Sequence, residues 1–302
     1  MPENNSIQVL LSSYNGERYI EKQIDSIFRQ ENADVHCLIR DDGSIDNTIN
    51  IIKKVQQKYL NIQLIEGKNE GFANSFYDLV CLSDKYDYYA FADQDDLWEP
   101  DKLVSCINSI KDCEEAALGY CNGFISDENF NVYGLLFDNC FKSKNIYESL
   151  IINPAPGCSM VFNSKAKELF LKADKSKITY HDFWLYVVCS LFGKVNCVDQ
   201  PKFYYIQHID NALGSDRNML NVYKNRINQL KKKTHCREDM AGEIIRCFSE
   251  HLTEEEIDNI KVLRDYRNSA QNRFKLFFSD KYVFESFKNN FWFRMHILFG
   301  NV

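Results

Sequence analysis

Three carboxylates lie within four residues in the stretch Asp93-Gln94-Asp95-Asp96. The stretch follows an apolar run that is typical of a buried strand, and it precedes a helix predicted to begin near Pro100. Like charges this close repel each other, and a desolvated carboxylate without a partner is costly, so we expect a positive group among them. Oxygen ligands at the end of a strand suit Mg²⁺ or Mn²⁺. An acidic loop that caps a helix is the alternative for so short a motif.

Two further acidic positions could do chemistry. Asp42 follows the second predicted strand, where its carboxylate could accept a hydrogen bond from a nucleobase N–H or a ribose hydroxyl. A turn followed by a helix cap explains the acids around it equally well, and one of them is expected to be that cap. Asp182 stands at the front of an apolar helix, where the helix dipole alone favours an acid.

The elements that position these acids alternate between strand and helix. Apolar runs at residues 7–11, 35–39 and 62–65 predict strands, as does the run before Asp93, and segments of helical period separate them. Four such repeats predict a mostly parallel sheet with helices on both faces. Ligands of these sheets bind beyond the carboxyl ends of the strands, which is where the polar clusters converge. No glycine-rich dinucleotide motif follows the first strand, and no P-loop motif occurs.

The second half of the chain is less regular. A fifth strand is predicted over residues 116–124, and an aromatic, turn-rich excursion over 126–147 is expected to face the substrate. A turn then enters a strand ending near residue 162, a helix covers 164–172, and two short strands lie within 195–206. From about residue 216 the pattern is helical. We therefore predict a catalytic domain over residues 1–215 and a helical region over 216–302.

Composition excludes several classes of protein. The net charge of −7 gives no global basic field to attract nucleic acid. The eleven cysteines are odd in number and scattered, so most are expected to be free core thiols in a reducing compartment. Those in apolar settings are Cys37, Cys81, Cys121, Cys189 and Cys197. Neither a signal peptide nor a membrane-spanning run is evident, which predicts a cytoplasmic protein.

The last twenty residues mix aromatic side chains with lysine and arginine. A basic, aromatic helix can lie in a membrane interface, which would make the protein peripheral at the inner face of the membrane. It can also pack on its own domain, and we favour that interpretation because amphipathicity alone does not distinguish core from lipid. A homodimer interface is a third use for these helices.

Five motifs occur in an order that resembles the inverting nucleotide-sugar glycosyltransferases of family two, which have the GT-A fold. The motifs span residues 6–212, and their order is specific although each one alone is weak. The stretches at 94–98 and 207–211 look most like bacterial rhamnosyltransferase-type enzymes of surface polysaccharide synthesis. The motifs are Leu11-Ser12-Ser13-Tyr14-Asn15-Gly16, Arg40-Asp41-Asp42-Gly43-Ser44 with Asp46, Asn69-Glu70-Gly71, Asp93-Gln94-Asp95-Asp96 with Trp98 and Pro100, and His181-Asp182.

The resemblance implies a role for each matching residue. Asp182 would be the catalytic base, and Asp95 would hold a Mn²⁺ or Mg²⁺ ion that bridges the donor diphosphate, with His208 as a further metal or diphosphate contact. The other implied positions form two groups. The nucleobase, ribose or donor sugar would be bound by Ser12, Tyr14, Asp42 and Asp93, and the donor sugar or acceptor would be bordered by Asp96, Trp98 and His181.

Two departures from the family pattern affect the diphosphate. Asn74-Ser75 stands where members often carry Arg-Asn, and Ile206 stands where many carry Arg. The metal would then neutralise most of the diphosphate charge, with Lys68 or Arg217 as candidate replacements for the missing arginines. Trp98 could stack on a sugar ring or cap the core, since an aromatic face suits both.

The predicted reaction transfers a sugar from dTDP-rhamnose or a UDP-hexose to a hydroxyl of a saccharide or lipid-linked acceptor. One base and no carboxylate nucleophile predict a single displacement with inversion. The first alternative is a sugar nucleotidyltransferase, which would need a glycine-rich, basic loop after the first strand. The second alternative is a non-catalytic, membrane-associated binding protein that uses the helical C-terminal third.

Overall fold

The computed structural model describes residues 5–206, 235–284 and 286–301. The chain divides into two compact units, and the first contains the predicted strands and the acidic motifs. The predicted boundary at residue 215 lies outside the described residues and stays a prediction. The first unit comprises Met1–Lys142, Asn153–Lys175 and Tyr180–Asp210, and the second comprises Ser143–Ile152, Ser176–Thr179 and Asn211–Val302.

Four strand-helix repeats open the chain, as the apolar periodicity predicts. Strand β1 (Asn5–Ser13) has an unbroken buried run, which is typical of a strand covered on both faces. Helix α1 (Ile20–Ile27) buries the three isoleucines that its period places on one face. The elements that follow are β2 (Ala33–Asp41), α2 (Thr48–Gln56), β3 (Ile62–Glu66), α3 (Phe72–Leu82), β4 (Tyr88–Asp93), β5 (Leu97–Trp98) and α4 (Lys102–Ile110).

The second half of the first unit differs from expectation in two strands. Residues 193–206 form one strand, β9, in which Pro201 lies where the pairing with its neighbour shifts register. A proline without an N–H is tolerated at such an irregularity, so it does not split the strand. Strand β7 arises within the excursion predicted as irregular. The elements are β6 (Ala116–Ser126), β7 (Val132–Leu135), β8 (Met160–Asn163), α6 (Ser164–Phe170), α7 (His181–Phe192) and β9 (Gly193–Ile206).

The strands form one mixed sheet in the order β3-β2-β1-β4-β8-β6-β9-β5, with β7 paired to β6. The first four strands of this order are parallel, as predicted, and they carry the acidic motifs at their carboxyl ends. Strand β8 runs antiparallel to both β4 and β6, and therefore joins the parallel part to the rest.

Helices cover both faces of the sheet, as predicted. One face packs α1, α2 and α4 against alternate residues of the central strands, such as Val9, Cys37 and Ala90. The other face packs α3 and α6 against Phe91, whose ring lies 5.3 Å from Phe76 and 6.3 Å from Phe170. Successive residues of β4 therefore point to opposite layers.

The second unit is helical in its described part, which confirms the predicted change of character. Helix α9 begins with a capping box, in which Thr253 and Glu256 satisfy each other's backbone N–H groups. Gly300 ends α11 with φ 69°, the left-handed conformation that glycine adopts most readily. The helices are α5 (Ile146–Ser149), α8 (Cys236–Phe248), α9 (Glu254–Asp265), α10 (Ala270–Phe277) and α11 (Phe287–Phe299). None of the described helices has the length and apolarity needed to cross a bilayer.

Two cysteine predictions are wrong. Cys81, predicted to lie in the core, is exposed on α3. Cys197 is not a free core thiol, because it forms a disulfide with Cys140 across 57 residues of sequence. Neither residue has a spacing signal, since the pair joins β9 to the irregular stretch before residue 143. Cys37 and Cys121 are buried free thiols, as predicted.

Candidate functional site

The carboxyl ends of β1, β2 and β4 place the predicted donor residues side by side. Ser12 lies in register with Asp93 on one neighbouring strand, and Ser13 lies in register with Asp41 on the other. The Ser12 hydroxyl also meets the Ser75 hydroxyl of α3 at 2.7 Å. Parallel pairing thus gathers residues distant in sequence at one edge of the sheet.

Asp42 is buried, and its carboxylate already accepts several hydrogen bonds. The backbone N–H groups of Glu70 and Gly71 donate to it at 2.9–3.1 Å. The buried Arg40 guanidinium forms an ion pair with the same carboxylate and lies 3.5 Å from Asp78. Asp42 therefore fixes the turn that leads into α3, and its predicted contact with the donor stays a prediction.

Two other acids of this loop have local structural roles. Asp41 accepts from the Ser13 hydroxyl and from the backbone N–H of Ser44. Asp46 accepts from the backbone N–H of Thr48, the first residue of α2. The N-cap residue of this helix is Asn47, whose side chain makes no capping hydrogen bond, so the expected acidic helix cap is not formed here. Hydrogen bonds from the Thr48 hydroxyl and backbone outweigh burial and lower the pKa of Asp46.

Gln94 connects the acidic loop to the loop after β1, a contact that the sequence analysis did not find. Its amide accepts from the backbone N–H of Tyr14 at 2.9 Å and donates to the Tyr14 carbonyl at 3.0 Å. Gly16 makes room for it, since a Cβ there would lie 2.1 Å from Gln94 Oε1. The Tyr14 ring is left exposed at this edge, as a residue that stacks on a base would need to be.

Asp93, which is half-buried, and Asp96, which is buried, form a close carboxylate pair. One ligand atom from each and the Cys158 sulphur all lie within 4.8 Å of one another. Burial, followed by the charges of Asp95 and Asp182, raises the pKa of Asp93 to about 7. Burial and the neighbouring acids also raise the pKa of Asp96 well above its ordinary value. Two carboxylates this close do not readily share full negative charge, so the pair is poised to hold a proton or a cation.

Lys102 provides the positive charge expected near the acids. Its side chain is fully buried, and its ammonium lies 3.4 Å from the centre of the Trp98 ring. Within the described part of the chain the ammonium has no hydrogen-bond partner. The aromatic face and the nearby acids must therefore stabilise this cation. Trp98 is itself buried, so its ring supports the core under the acidic loop rather than presenting a face to a sugar.

Asp95 opens onto a cleft of about 180 Å³ in the first unit. Arg18 pairs with Glu128 at 3.1 Å on the wall of this cleft, and Tyr19 donates to the same carboxylate at 2.8 Å. Arg18 and Lys22 are cations beside Asp95 that the sequence analysis missed. Of the two predicted cations, Lys68 accepts a hydrogen bond from Arg40 through its backbone carbonyl, and Arg217 lies outside the described residues.

The donor set fits a hard divalent cation. Asp96 Oδ2 is buried without a hydrogen-bond partner among the described residues, and an Asp93 oxygen lies within 4.8 Å of an Asp96 oxygen. Asp95 does not belong to that close group, although its charge raises the pKa of both acids, so its predicted role as the metal ligand stays a prediction. Oxygen ligands of this kind suit Mg²⁺ or Mn²⁺. The Cys158 thiol is a poor ligand for either ion, and burial together with the neighbouring Asp96 and Asp93 charges raises its pKa well above the ordinary value. His208, the other predicted metal contact, lies outside the described residues.

Asp182 lies at the start of α7, as predicted, and its environment is unusual for an acid in a first turn. Burial raises the pKa of Asp182 from 3.8 to about 6, although the Phe183 N–H, the Asn153 side chain and Gly157 all hydrogen-bond to it. Its charge in turn raises the pKa of Asp93. A carboxylate with a pKa near neutrality, close to a cluster of other acids, is typical of a general base.

His181 has a different environment from its neighbour in sequence. Its ring stacks on Phe76 at 4.0 Å and meets the edge of Phe91 at 4.7 Å. Burial lowers the pKa of His181 to about 3, and neither ring nitrogen has a hydrogen-bond partner among the described residues. The ring is therefore neutral and packs in the layer under α3, so its predicted contact with sugar or acceptor remains a prediction.

Comparison with known proteins decides the family. The Glycosyl transferase family 2 model matches residues 8–170, the part of the chain that carries the acidic strand ends. The chain belongs to glycosyltransferase family 2. A dTDP-rhamnosyl transferase of Shigella flexneri is 30% identical to this glycosyltransferase over 245 residues, which cover 76% of this chain and 81% of the relative. Chondroitin synthase of Escherichia coli is 24% identical over 68% of this chain, but over only 29% of its own length.

Solved structures agree on the fold. The TarS 1-349 structure from S. aureus in complex with UDP-GlcNAc has a TM-score of 0.58 at 16% identity, covering 92% of this chain and 78% of that one. A mannosyltransferase of Pyrobaculum calidifontis in complex with GDP-Man and Mn²⁺ has a TM-score of 0.51 at 14% identity, covering 90% and 72%. The glycosyltransferase has the predicted GT-A fold with a helical C-terminal region.

Proposed function

We propose that this glycosyltransferase moves a sugar from a nucleotide-sugar donor to a hydroxyl of a saccharide or lipid-linked acceptor, with inversion at the anomeric carbon. The observation that carries the proposal is Asp182, a carboxylate with a pKa near 6 whose charge acts on Asp93 in the acidic cluster at the end of β4. A base beside a cation-binding acidic cluster meets both needs of the reaction, which are proton removal and leaving-group stabilisation.

The donor would lie along the edge formed by Ser12, Tyr14 and Asp93. The exposed Tyr14 ring offers a face for the nucleobase, and the Gln94 amide holds the Tyr14 backbone in place for it. Asp93 would receive a hydroxyl of the ribose or of the donor sugar. Asp96 would border the sugar from inside the acidic loop.

A divalent cation held by Asp95, beside Asp93 and Asp96, would act as a Lewis acid on the donor diphosphate. Lys22 would add positive charge to the cleft that Asp95 lines, and Arg18 would do so on exchanging its Glu128 partner for a phosphate. These two cations would take the place of the arginines missing from the family pattern. These side chains would stabilise the negative charge that grows on the leaving phosphate.

Asp182 would take the proton from the acceptor hydroxyl as that oxygen attacks the anomeric carbon. The bond to the diphosphate breaks in the same displacement, so the configuration inverts. Proton removal by a placed base typically contributes about a hundred- to ten-thousand-fold to the rate. Burial keeps Asp182 basic enough to accept the proton near neutral pH.

Relatives suggest the donor class. One is named a dTDP-rhamnosyl transferase, and the TarS structure holds UDP-GlcNAc. We propose dTDP-rhamnose as the first donor to test and a UDP-hexose as the second, with an acceptor from cell-surface polysaccharide synthesis. Membership in glycosyltransferase family 2 removes support from the nucleotidyltransferase alternative.

The test is a transfer assay with each donor, Mn²⁺ and a panel of glycosides, and NMR assignment of the anomeric configuration of the product. We expect nucleoside diphosphate release and inversion. Asp182→Asn and Asp95→Ala should each lose at least about a hundredfold in rate, whereas Asp199→Asn, an exposed acid of β9, should not. Full activity in both folded site variants would contradict the assignment, and pyrophosphate release from a nucleoside triphosphate would contradict the reaction class.

A further inference from the structure

The second unit exposes an unusual number of large apolar side chains on its last two helices. Helix α10 exposes Phe274 and Phe278, whose rings lie 4.6 Å apart, and helix α11 exposes Phe287, Phe291 and Leu298. Their exposed fractions run from 52% to 87%. Single exposed apolar residues are ordinary, but a group of this size on adjoining helices marks an interaction surface.

Helix α11 is apolar on two opposite sides. Phe293 and Ile297 are buried and spaced by four residues, so they form the face that packs inside the second unit. Phe287, Phe291 and Leu298 share a face too, because spacings of four and seven residues return to the same side of a helix. Since each residue turns the helix by about 100°, Phe293 points nearly opposite to Phe291. One face therefore packs, and the other remains exposed.

The charge of this segment differs in sign from that of the whole chain. Residues 270–302 contain five lysines and arginines against two acids, whereas the net charge of the chain is −7. Lys275 and Lys288 are exposed beside the phenyl rings. Arg294, by contrast, is committed to the carbonyls of Leu276 and Ser279. An anionic surface would attract this segment and repel the rest of the protein.

We propose that the exposed faces of α10 and α11 dock the protein peripherally on an anionic lipid bilayer. Phenyl rings enter the boundary between headgroups and acyl chains, and the lysines remain at the level of the anionic headgroups. The chemistry favours lipid over a second copy of the chain. A two-fold interface would place this net positive patch against itself, and like charges oppose such a contact.

Vesicle co-sedimentation of the full chain tests the surface, with phosphatidylcholine alone and with added phosphatidylglycerol. We expect binding that needs the anionic lipid and weakens with salt. The Phe287→Ser/Phe291→Ser variant should bind vesicles at least about tenfold more weakly than the wild type, because it lacks most of the apolar area that enters the bilayer. Lys275→Glu should weaken binding to anionic vesicles several-fold, since one basic side chain is worth about 1 kcal/mol near such a surface.

Leu60→Ser is the matched control, because Leu60 is 90% exposed in the first unit and lies outside the proposed surface. Its vesicle binding should equal that of the wild type. Equal binding by the Phe287→Ser/Phe291→Ser variant would overturn the proposal. A second result would also overturn it: light scattering shows that the wild type is a dimer and this variant a monomer, and the wild type does not bind vesicles. Nucleotide binding in solution is the independent measurement, and the surface variants should bind nucleotide as the wild type does. If the proposed donor site is wrong, the wild type itself will not bind nucleotide.

Discussion

The proposed mechanism depends on one side chain above all, the Asp182 carboxylate, and on its buried environment. The same burial that makes this carboxylate a usable base penalises its charged form in the folded protein. Its pKa is about 6 when folded and near 3.8 when unfolded. The folded state therefore binds the proton more tightly, and stability is lost as pH rises through this window.

Asp182→Asn should accordingly stabilise the fold above about pH 6 while it removes activity. The shift from 3.8 to about 6 corresponds to on the order of 3 kcal/mol. Thermal unfolding followed against pH measures this, and the gain of the variant over the wild type should shrink towards pH 3.8. A gain that does not change with pH, or a loss at neutral pH, would contradict the burial of a charged base. The kcat/KM of the wild type should fall below about pH 6 as the base is protonated.

At the scale of elements, Gln94 ties the acidic loop to the loop after β1. Gly16→Ala would place a Cβ against the Gln94 amide and force that side chain to move, which breaks its two hydrogen bonds to Tyr14. We expect weaker nucleoside diphosphate binding by calorimetry, with a loss equal to that of Gln94→Ala and no further loss in the double variant.

Gly134→Ala is the matched control for this prediction. A Cβ at Gly134 meets nothing within 4 Å, and the residue lies on β7 rather than beside Gln94. Nucleotide affinity should be unchanged in this variant. Additive losses from Gly16→Ala and Gln94→Ala would mean that the two residues act separately, contrary to the contact seen in the structure.

The buried ammonium of Lys102 on α4 and a bound divalent cation should each neutralise the acidic cluster, so that one can partly replace the other. Lys102→Met removes the positive charge near Asp93 and Asp96. Only a bound metal ion could then reduce the repulsion between these two carboxylates. We expect a lower melting temperature in chelator and a larger stabilisation by Mn²⁺ than in the wild type. Lys111→Met, at the exposed end of the same helix, should change neither quantity. If Mn²⁺ raises the melting temperature of Lys102→Met no more than that of the wild type, Lys102 does not neutralise the acidic cluster.

At the scale of the whole molecule, the parallel part of the fold was predictable and the details of the site only partly so. Strands buried on both faces give unbroken apolar runs, so β1 to β4 and their helices could be predicted from periodicity. Strand β5 has only two residues, and the four residues of β7 are mostly exposed, so neither strand leaves such a signal. Gln94, Lys102 and the Cys140–Cys197 disulfide depend on contacts between distant segments, which spacing along the chain does not encode.

Among the site residues, position at a strand end was predictable, but side-chain environment was not. The sequence placed Asp93, Asp95 and Asp182 where the structure brings them into electrostatic contact. It could not show that Asp42 is already held by three donors, or that Trp98 lies under the acidic loop. Those facts follow from tertiary packing, which decides whether a side chain faces a ligand or instead supports another side chain that faces it.

The most direct test of the account is a calorimetric titration of dTDP and UDP with and without Mn²⁺. We predict binding of at least one of them that requires the metal and disappears in Asp95→Ala. In a thermal melt, such a ligand at a hundred times its dissociation constant would stabilise the protein by about 2.7 kcal/mol. If neither nucleotide binds under any metal condition, the acidic strand ends are not a donor site, and the proposed transfer reaction is wrong.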